Sequence, residues 1–332
     1  MARPHPSSGP VPGRRHLIAL AAAALAAPWL PARAQPAWPS KKITIVVPFP
    51  PGGASDASAR VLGEVMAKSL GQAIVVENKP GAGSVIGTQA VVQSNGGHTL
   101  LMGSTSMTIL PALRSDLPYD PVKDLQPVGM VSRQPLVLSV AADSPLKTLE
   151  DVIARGRAGS ELTAGNSGNG SLSHLTTELF NIRMGTHLLP VPYKGESALM
   201  PDIVGGTTAM AFLNLPSALP LLKAGRLRAL AVTSAKELPA LPGVRTLRSL
   251  GFEDFVIDGW AALYAAKDVP AAGVERLEKE LQKALGEPAV QARFEALGVT
   301  PDPSTSGALR EFTRKEIARW GEVVRTKRIK VN

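Results

Sequence analysis

The sequence predicts an α/β protein of two domains with a ligand cleft between them. Short apolar runs alternate with helical patterns along the chain, which is typical of βα units in a largely parallel sheet. Domain 1 is expected to cover residues 35–138 and 258–332, and domain 2 to cover residues 139–257. No Gly/Ser-rich tether separates them, so strand crossovers near Leu138 and Ile257 are expected to act as a hinge. A cleft between two α/β domains is a usual place for a small ligand.

Residues 1–34 are predicted to be a signal peptide and are set aside from the fold. The pair Arg14-Arg15 precedes an apolar run over residues 17–27, and Ala32-Arg33-Ala34 fits the small-x-small cleavage pattern. The apolar run is too short to span a bilayer. We therefore expect export to a bacterial periplasm, by the Sec pathway in preference to the twin-arginine pathway.

The remaining part of the chain, about 298 residues, is long enough for two domains. It carries 32 basic and 27 acidic residues, a net charge of +5, without clusters of Lys and Arg among aromatic residues. This composition argues against nucleic acid as a partner. The absence of cysteine excludes disulfides and cysteine-bound metals. The three histidines of this part form no i, i+4 pair, so neither a metal nor a cofactor is expected.

The first set of units is predicted from aliphatic and β-branched runs followed by helical spacing. Strands are expected over residues 43–47, 73–77 and 99–102, with helices after the first two. The first helix places Val61, Leu62, Val65, Met66 and Leu70 on one face. The third strand is expected to lead into a loop of small polar residues, 103–106.

The second set repeats this pattern and ends in helices. Strands are predicted over residues 136–140, 162–164, 210–213, 229–233 and 260–265, and helices over 149–154, after Gly170, after Gly195 and through most of the C-terminal part. The helix after Gly170 is expected to bury Leu172, Leu175, Leu179 and Ile182.

Three glycine-rich loops connect a strand to a helix, and each could bind an anion. They are Gly52-Gly53 before Asp56, Gly81-Ala82-Gly83, and Gly168-Asn169-Gly170-Ser171. Free N–H groups at the positive end of a helix dipole favour a phosphate or carboxylate. A tight turn with an N-cap explains any single loop equally well, and Asp56 is a candidate cap. Two such loops that face each other from separate domains would suit a ligand with an anionic group at each end.

Three stretches of the sequence match known enzyme motifs only in part. The stretch from Gly81 to Gly87 is one residue too long for the dinucleotide fingerprint, and the turn at Gly52 lacks the lysine of a phosphate-binding loop. The stretch from Gly165 to Asn169 misses the last glycine of the hydrolase nucleophile motif. His174 is expected to be a structural residue satisfied by a local carbonyl. Because no nucleophile, base and orienting acid can be assembled, we predict a binding protein and not an enzyme.

Longer stretches carry a family resemblance over essentially the whole mature chain. They are VVPFPPGGASD, VVENKPGAGSVIGTQAV, LPYDPVKDLQPV, GNGSLSHLTTELF, VPYKGESALMPDIVGG and NLPSALPLLKAGRLRALAVTS. Their combination and order closely resemble the Bug family of extracytoplasmic solute receptors, the periplasmic substrate-binding proteins of tripartite tricarboxylate transporters. The resemblance implies a periplasmic-binding-protein (Venus flytrap) fold that closes on a small carboxylate, with integral-membrane transporter subunits as possible partners and a monomeric receptor.

The resemblance also assigns ligand contacts by matching positions. It places Phe49, Gly53, Ser55 and Asp56 on one wall, Ser104 on the floor, Ser167, Asn169, Gly170 and Ser171 on the facing wall, and Tyr193 and Asn214 at the rim. Many relatives have Asp where this chain has Leu213, which lowers the expectation of an amino-acid ligand. Two alternatives stay open: an α/β enzyme that acts on a carboxylic acid in the same cleft, and a ligand-sensing receptor without a permease.

Overall fold

The fold begins with three parallel strands, β1 (Ile43–Val47), β2 (Ile74–Asn78) and β3 (Thr99–Ser104), in the order β2-β1-β3. The computed structural model describes residues 38–159, 162–253 and 255–327, which lie in one compact unit. The signal peptide predicted over residues 1–34 lies outside these residues. Strand β1 is central in this group and buries Ile43, Ile45 and Val47 completely, as its β-branched composition predicts.

Helices follow each of these strands: α1 (Ala54–Leu70), α2 (Val85–Val92) and α3 (Thr105–Leu113). The predicted face of α1 packs on the sheet, with Val65 only partly buried. The predicted loop over residues 103–106 is wrong, because Ser104 ends β3 and Thr105 begins α3 directly. Small polar residues are common both in loops and in the first turn of a helix, so composition alone did not separate the two.

One long strand connects the two halves of the sheet. Strand β4 (Leu125–Ala141) pairs through residues 125–135 with β9 (Asp258–Ala266), and β9 pairs in turn with β3. Residues 136–141 pair instead with β7 (Met210–Asn214) and β8 (Leu227–Val232). We call the β2-β1-β3-β9 side with residues 125–135 the first lobe, and the side from residue 136 onward the second lobe.

The second lobe has its own parallel strands. Strand β5 (Thr163–Asn166) pairs in parallel with β6 (Leu189–Pro192) and with β7. Its helices are α4 (Leu149–Arg157), α5 (Leu172–Met184), α6 (Glu196–Val204) and α7 (Leu215–Lys223). The core contains Phe180, Phe212 and Phe255, with ring centroids 5.6 to 6.4 Å apart. The predicted burial of Ile182 is wrong: it is exposed, because Phe180 and Met184 form the buried face of α5 with Leu175.

The C-terminal part returns to the first lobe and bridges both. It comprises α8 (Ala271–Gly286), α9 (Pro288–Ala296), the short strand β10 (Thr300–Pro301) and α10 (Ser306–Lys327). Leu309 of α10 packs in the first-lobe core, whereas Trp320 and Val324 pack in the second-lobe core. Among the described helices, none is long and apolar enough to cross a membrane.

Candidate functional site

Helix N-termini from both lobes meet at the junction between them. Pairing through β9 and β4 makes the parallel strands of the two lobes run in opposite directions, so their carboxyl ends point toward each other. Helices α1, α3, α5, α6 and α7 start at these ends. Between them lies a cavity of about 80 Å³, which we call the inner cavity. It is far smaller than the roughly 300 Å³ at which sites for drug-sized ligands begin.

Most of the inner-cavity lining belongs to helix caps and first turns. The lining residues of this kind are Gly53 to Asp56 of α1, Ser104 to Ser106 of α3, Ser171 to Ser173 of α5, Gly195 to Ser197 of α6, and Asn214 before α7. The first N–H groups of a helix have no partner within it. Several such groups therefore converge on one small volume.

The wall of the first lobe is the glycine turn before α1. Gly53 is the N-cap and has an ordinary φ of −83°, while the positive φ, +88°, belongs to Gly52. A Cβ atom added to Gly53 would meet nothing within 4 Å. The carbonyl of Gly53 accepts the N–H of Ala57 at 3.0 Å, which leaves the N–H groups of residues 54–56 without intrahelical partners.

Asp56 holds this turn in place and is not the N-cap. Its Oδ2 accepts the Gly52 N–H at 3.0 Å and Arg60 Nε at 3.1 Å, and its Oδ1 accepts Asn78 Nδ2 at 3.0 Å. Burial alone would raise the pKa of Asp56, but the hydrogen bonds from Arg60, Gly52 and Asn78 outweigh it and hold that pKa below its ordinary value. The carboxylate is therefore ionised and neutralised within its own lobe.

The floor presents polar atoms without partners. Ser104 Oγ, Gln134 Oε1 and Trp260 Nε1 are buried, have no hydrogen-bond partner among the described residues, and belong to residues that line the inner cavity. Thr105 Oγ1 accepts the backbone N–H of Trp260 at 3.2 Å and so helps to fix this residue. Because buried polar groups are nearly always hydrogen-bonded, a molecule in the cavity is their expected partner.

The wall of the second lobe is built from the loop before α5. Ser171 caps the helix by accepting the His174 N–H on its Oγ at 3.2 Å. The N–H of Gly170, expected to face a ligand, donates instead to Nδ1 of His174 at 3.2 Å. Burial lowers the pKa of His174, so the ring is neutral and serves the loop as an acceptor. The local structural role expected for His174 is present, but the partner of its Nδ1 is a backbone N–H and not the expected carbonyl.

What remains available on this wall is a group of serine hydroxyls and the first turn of α5. Ser173 Oγ accepts the Ser167 N–H at 3.0 Å and lies 3.2 Å from Ser167 Oγ and 3.1 Å from Ser171 Oγ. These hydroxyls can reorient toward a ligand, since each can donate or accept.

Glu196 and Asn214 form the remaining side of the cavity. Glu196 is the first residue of α6 and is 8 % exposed. Its Oε1 accepts both the backbone N–H of Asn214 at 2.9 Å and the Asn214 side-chain amide at 2.7 Å. Burial raises the pKa of Glu196, and the hydrogen bonds from Asn214 and from the Ser217 hydroxyl offset this only in part. No lysine or arginine in the part of the chain that the structure describes forms an ion pair with it.

The charge balance of the inner cavity follows from these contacts. Its described lining contains no lysine or arginine, and Arg60 balances the charge of Asp56 from outside the lining. The positive potential within it therefore comes from helix N-termini, each equivalent to about half an elementary charge. Such a cavity suits a small anion held by N–H and O–H donors.

Comparison with known proteins identifies the family. The family model described as "Tripartite tricarboxylate transporter family receptor" matches residues 58–329. The chain belongs to this family. The receptor is 39% identical to "Protein BugT" of Bordetella pertussis over 292 residues, which cover 87% of this chain and 90% of that protein. The predicted membership of the Bug receptors is thereby confirmed.

Solved structures confirm the two-domain α/β fold of periplasmic binding proteins. The structure of Rpa4515 from R. palustris with adipate has a TM-score of 0.84 at 31% identity, covering 88% of this chain and 99% of that one. MatC from Rhodopseudomonas palustris with bound malate has a TM-score of 0.82 at 29% identity, covering 86% and 100%.

The receptor divides the predicted site residues into two groups. Phe49, Gly53, Ser55, Asp56, Ser104, Ser167, Ser171 and Asn214 line the inner cavity. Asn169, Gly170 and Tyr193 line a neighbouring cavity of about 880 Å³, which we call the outer cavity and which also contains Arg114 and Lys194. The Tyr193 hydroxyl donates to Asp202 Oδ2 at 2.7 Å, within the second lobe. Phe49 and Ser167 border both cavities.

Sequence reasoning missed Gln134, Glu196 and Trp260. Gln134 and Trp260 come from β4 and β9, whose pairing brings distant segments together and leaves no local motif. Glu196 directly follows the glycine turn at Gly195 that the sequence indicates. Its position at the start of the next helix could have identified it as a site residue. Leu213 does not line the inner cavity; it is fully buried with Leu199 and Ile203. The lowered expectation of an amino-acid ligand stays a prediction, although the Leu213 side chain is not part of this lining.

Proposed function

We propose that the receptor binds a small carboxylate, a di- or tricarboxylate or a related organic acid, in the inner cavity for uptake by a tripartite tricarboxylate-type transporter. The observation that carries this proposal is the convergence of the N-termini of α1, α3, α5 and α6 on a cavity whose described lining has no lysine or arginine. A carboxylate can accept several N–H and O–H bonds at once in such a place.

The energy available from these donors is sufficient. A hydrogen bond to a charged group is worth roughly 1.5–3 kcal/mol, so four of them total roughly 6–12 kcal/mol before the cost of association. Micromolar binding needs about 8 kcal/mol. Phe49 and Trp260 add apolar contact area at the wall and floor.

Relatives support the same class of ligand. Adipate and malate, the molecules in the structures of Rpa4515 and MatC, are both dicarboxylates. The small volume of the inner cavity favours an acid of this size over a larger molecule.

Ligand binding is proposed to close two domains, residues 35–138 with 258–332 and residues 139–257, about the β4 and β9 crossovers. Contacts across the cleft support this motion. Ser197 Oγ donates to the Pro51 carbonyl at 3.3 Å, and a Cβ atom on Gly195 would lie 2.9 Å from Pro50 Cγ. The ligand shifts the equilibrium to the closed state only through contacts that both walls make with it.

Binding without turnover is part of the proposal. His174 lies beside the cavity serines, but its Nδ1 accepts the Gly170 N–H and its Nε2 is 3.8 Å from Glu178 Oε1. It therefore does not serve these serines as a base in this arrangement. Incubating the receptor with carboxylic acids and following them by NMR should show no new product, and turnover would favour the enzyme alternative.

Export and assembly complete the proposal: a periplasmic, monomeric receptor, released after Ala34 by the Sec pathway. N-terminal sequencing of the periplasmic protein should begin at Gln35, and a retained Met1 would contradict this. Neighbouring genes for membrane transport subunits would favour uptake over a sensing role.

Calorimetry with a matched acid and ester tests the binding proposal. The receptor should bind a dicarboxylate such as malate or adipate, and conversion of one carboxylate to its methyl ester should weaken binding by roughly 2–4 kcal/mol because charged hydrogen bonds are lost. Equal affinity for acid and ester would contradict the proposal. Native mass spectrometry of the purified receptor then identifies any ligand that it retains.

A paired glycine substitution tests the position of the site. Gly53→Val places a branched side chain at the first wall, where φ is ordinary and space is open, so the fold should persist while binding is lost. Gly286→Val is the control, since Gly286 is exposed, has open space around it and lies outside the inner cavity. Closure measured by small-angle scattering should disappear only in Gly53→Val.

A further inference from the structure

Glu196 is a buried acid that faces the ligand cavity without a cation. It lines the inner cavity at the first position of α6, and its described hydrogen bonds from Asn214 both end on Oε1. The Ser217 hydroxyl is a further hydrogen-bond partner, so the fold gives this carboxyl group neutral donors from Asn214 and Ser217 and no cation. An ionised carboxylate in such a place is costly unless further donors reach it.

The other charged group of the cavity shows that this arrangement is not a requirement of the fold. Asp56 has Arg60, Asn78 and the Gly52 N–H, so all its charge is satisfied within the first lobe. Neither Arg114 nor Lys194 lines the inner cavity; both line the outer one. The described partners of Glu196 are therefore all neutral, and a molecule in the inner cavity can add a donor to its carboxyl group.

We propose that Glu196 determines the specificity of the receptor by accepting a hydrogen bond from a donor substituent, a hydroxyl or an ammonium group, on the carboxylate ligand. The inference rests on the proposed function, since it adds a second recognition element to a carboxylate site. Helix N-termini bind the carboxylate, and Glu196 selects acids that carry a donor near it. An acid without such a substituent brings a second negative charge close to Glu196 and no donor.

The arrangement also explains why the second wall can discriminate. Asn214 Nδ2 and its backbone N–H hold Oε1 in place, so Glu196 is positioned before the ligand arrives. A fixed acceptor rejects an analogue that lacks the donor, because the carboxyl group of Glu196 then loses the hydrogen bond from the ligand.

Calorimetry with matched series of acids tests this inference. The probes are succinate, malate and aspartate, and the five-carbon series glutarate, 2-hydroxyglutarate and glutamate, which differ within each series in one substituent. In at least one series the wild-type receptor should prefer a substituted acid over the plain one by tenfold or more. The hydroxyl and ammonium members show which donor is recognised.

The Glu196→Gln variant assigns the preference to this residue. Its amide oxygen can still accept from Asn214, but its NH₂ group replaces the second acceptor oxygen, so the preference should fall below threefold while the plain acid binds within threefold of wild type. Glu178→Gln is the matched control, because Glu178 is another partly buried glutamate whose pKa burial raises and it lies outside the inner cavity. It should keep the wild-type preference.

The outcomes separate this inference from the proposed function. If wild type binds plain and substituted acids equally, or plain acids best, Glu196 does not read a donor, while carboxylate binding stands. A preference that persists in Glu196→Gln likewise overturns the inference. If none of the six acids binds to wild type, and esters and acids are equally inert, both proposals fail. Because the wild-type comparison needs no substitution, misfolding of a variant cannot leave the inference untested.

Discussion

Two carboxyl groups line the inner cavity, each in the first turn of a helix, and they have opposite surroundings. Asp56 of the first lobe has a guanidinium partner and a lowered pKa, whereas Glu196 of the second lobe has the neutral partners Asn214 and Ser217 and a raised pKa. Burial raises the pKa in both cases and acts more strongly on Glu196. Only Asp56 has a guanidinium partner, and its hydrogen bonds outweigh burial. A helix N-terminus therefore does not by itself assign a role to an acid.

The charge of the acid on the first wall is therefore balanced by a cation of the protein, whereas the charge of the acid on the second wall is not. Asp56 connects the glycine turn to Asn78 of β2, and these hydrogen bonds help to satisfy its charge. Glu196 connects the start of α6 to Asn214, the residue before α7, through its Oε1. Its carboxyl group also lines the cavity. We expect substitutions of Asp56 to alter mainly stability, and substitutions of Glu196 to alter mainly which ligand is bound.

The largest effect is expected from Asp56→Ala. It removes the partner of Arg60, Asn78 and the Gly52 N–H together, and should lower the free energy of unfolding by about 2–4 kcal/mol, reduced at the exposed end of Arg60 by solvent screening. Asp116→Ala is the control, because its bidentate pair with Arg114 is on the surface, where solvent screening leaves it a much smaller contribution to stability. Denaturant unfolding measures both, and equal losses would break the contrast.

An intermediate effect is expected when the amide partner of each acid is removed. Asn78→Ala takes donors from Asp56 and from the Phe49 carbonyl and should cost about 1–3 kcal/mol of stability. Asn214→Ala leaves Glu196 one backbone donor and the Ser217 hydroxyl. It should cost less at neutral pH, about 1 kcal/mol, because Glu196 can also take up a proton to limit the loss. Unfolding curves of both variants compare the two walls, and a larger loss for Asn214→Ala would contradict the account.

The smallest effect is a difference in pH dependence. The pKa of Asp56 is lowered by folding, so its contribution is present above the ordinary Asp range and is lost as pH falls through its folded value. The pKa of Glu196 is raised, so it costs stability as pH rises from its ordinary value through its folded value. Glu196→Gln should therefore gain stability relative to wild type as pH rises, and Asp56→Asn should lose it.

Unfolding free energies measured from pH 3 to pH 8 test these signs. Below the ordinary carboxyl range, both variants should approach wild type. Curves with the same slope for both differences would show that the two acids have similar surroundings after all.

Local patterns predicted those parts of the fold whose cause is local. The strand at residues 43–47 and the helix after it follow from β-branched runs and 3.6-residue spacing. Strand β4 was underestimated because Pro127 and Pro135 lie within it, near register shifts at Pro127/Gly129 and Met130/Ser132. Prolines and bulges interrupt the alternation on which the prediction depends. Helix α3 was missed because it begins with small polar residues and contains Pro111.

Local sequence patterns predicted the site residues to the same extent: only where the cause is local. The glycine loops placed Gly53, Ser55 and Ser171 at the cavity because each loop is one continuous segment. The floor depends on β9 pairing with both β3 and β4, which brings Trp260 beside Ser104 and Gln134. No local sequence pattern indicates that β9 pairs with both β3 and β4. The role of Glu196 was equally hidden, because the sequence does not show that its described partners, Asn214 and Ser217, are neutral.

A crystal structure of the receptor with a bound dicarboxylate tests the central claim most directly. The account predicts a carboxylate in the inner cavity, with oxygens at hydrogen-bonding distance, about 2.7–3.1 Å, from first-turn N–H groups of α1 or α5 and from the unpartnered atoms of Ser104 or Trp260. It also predicts that no lysine or arginine side chain contacts that carboxylate. A carboxylate bound instead to Arg114 or Lys194 in the outer cavity, with the inner cavity unused, would contradict the account.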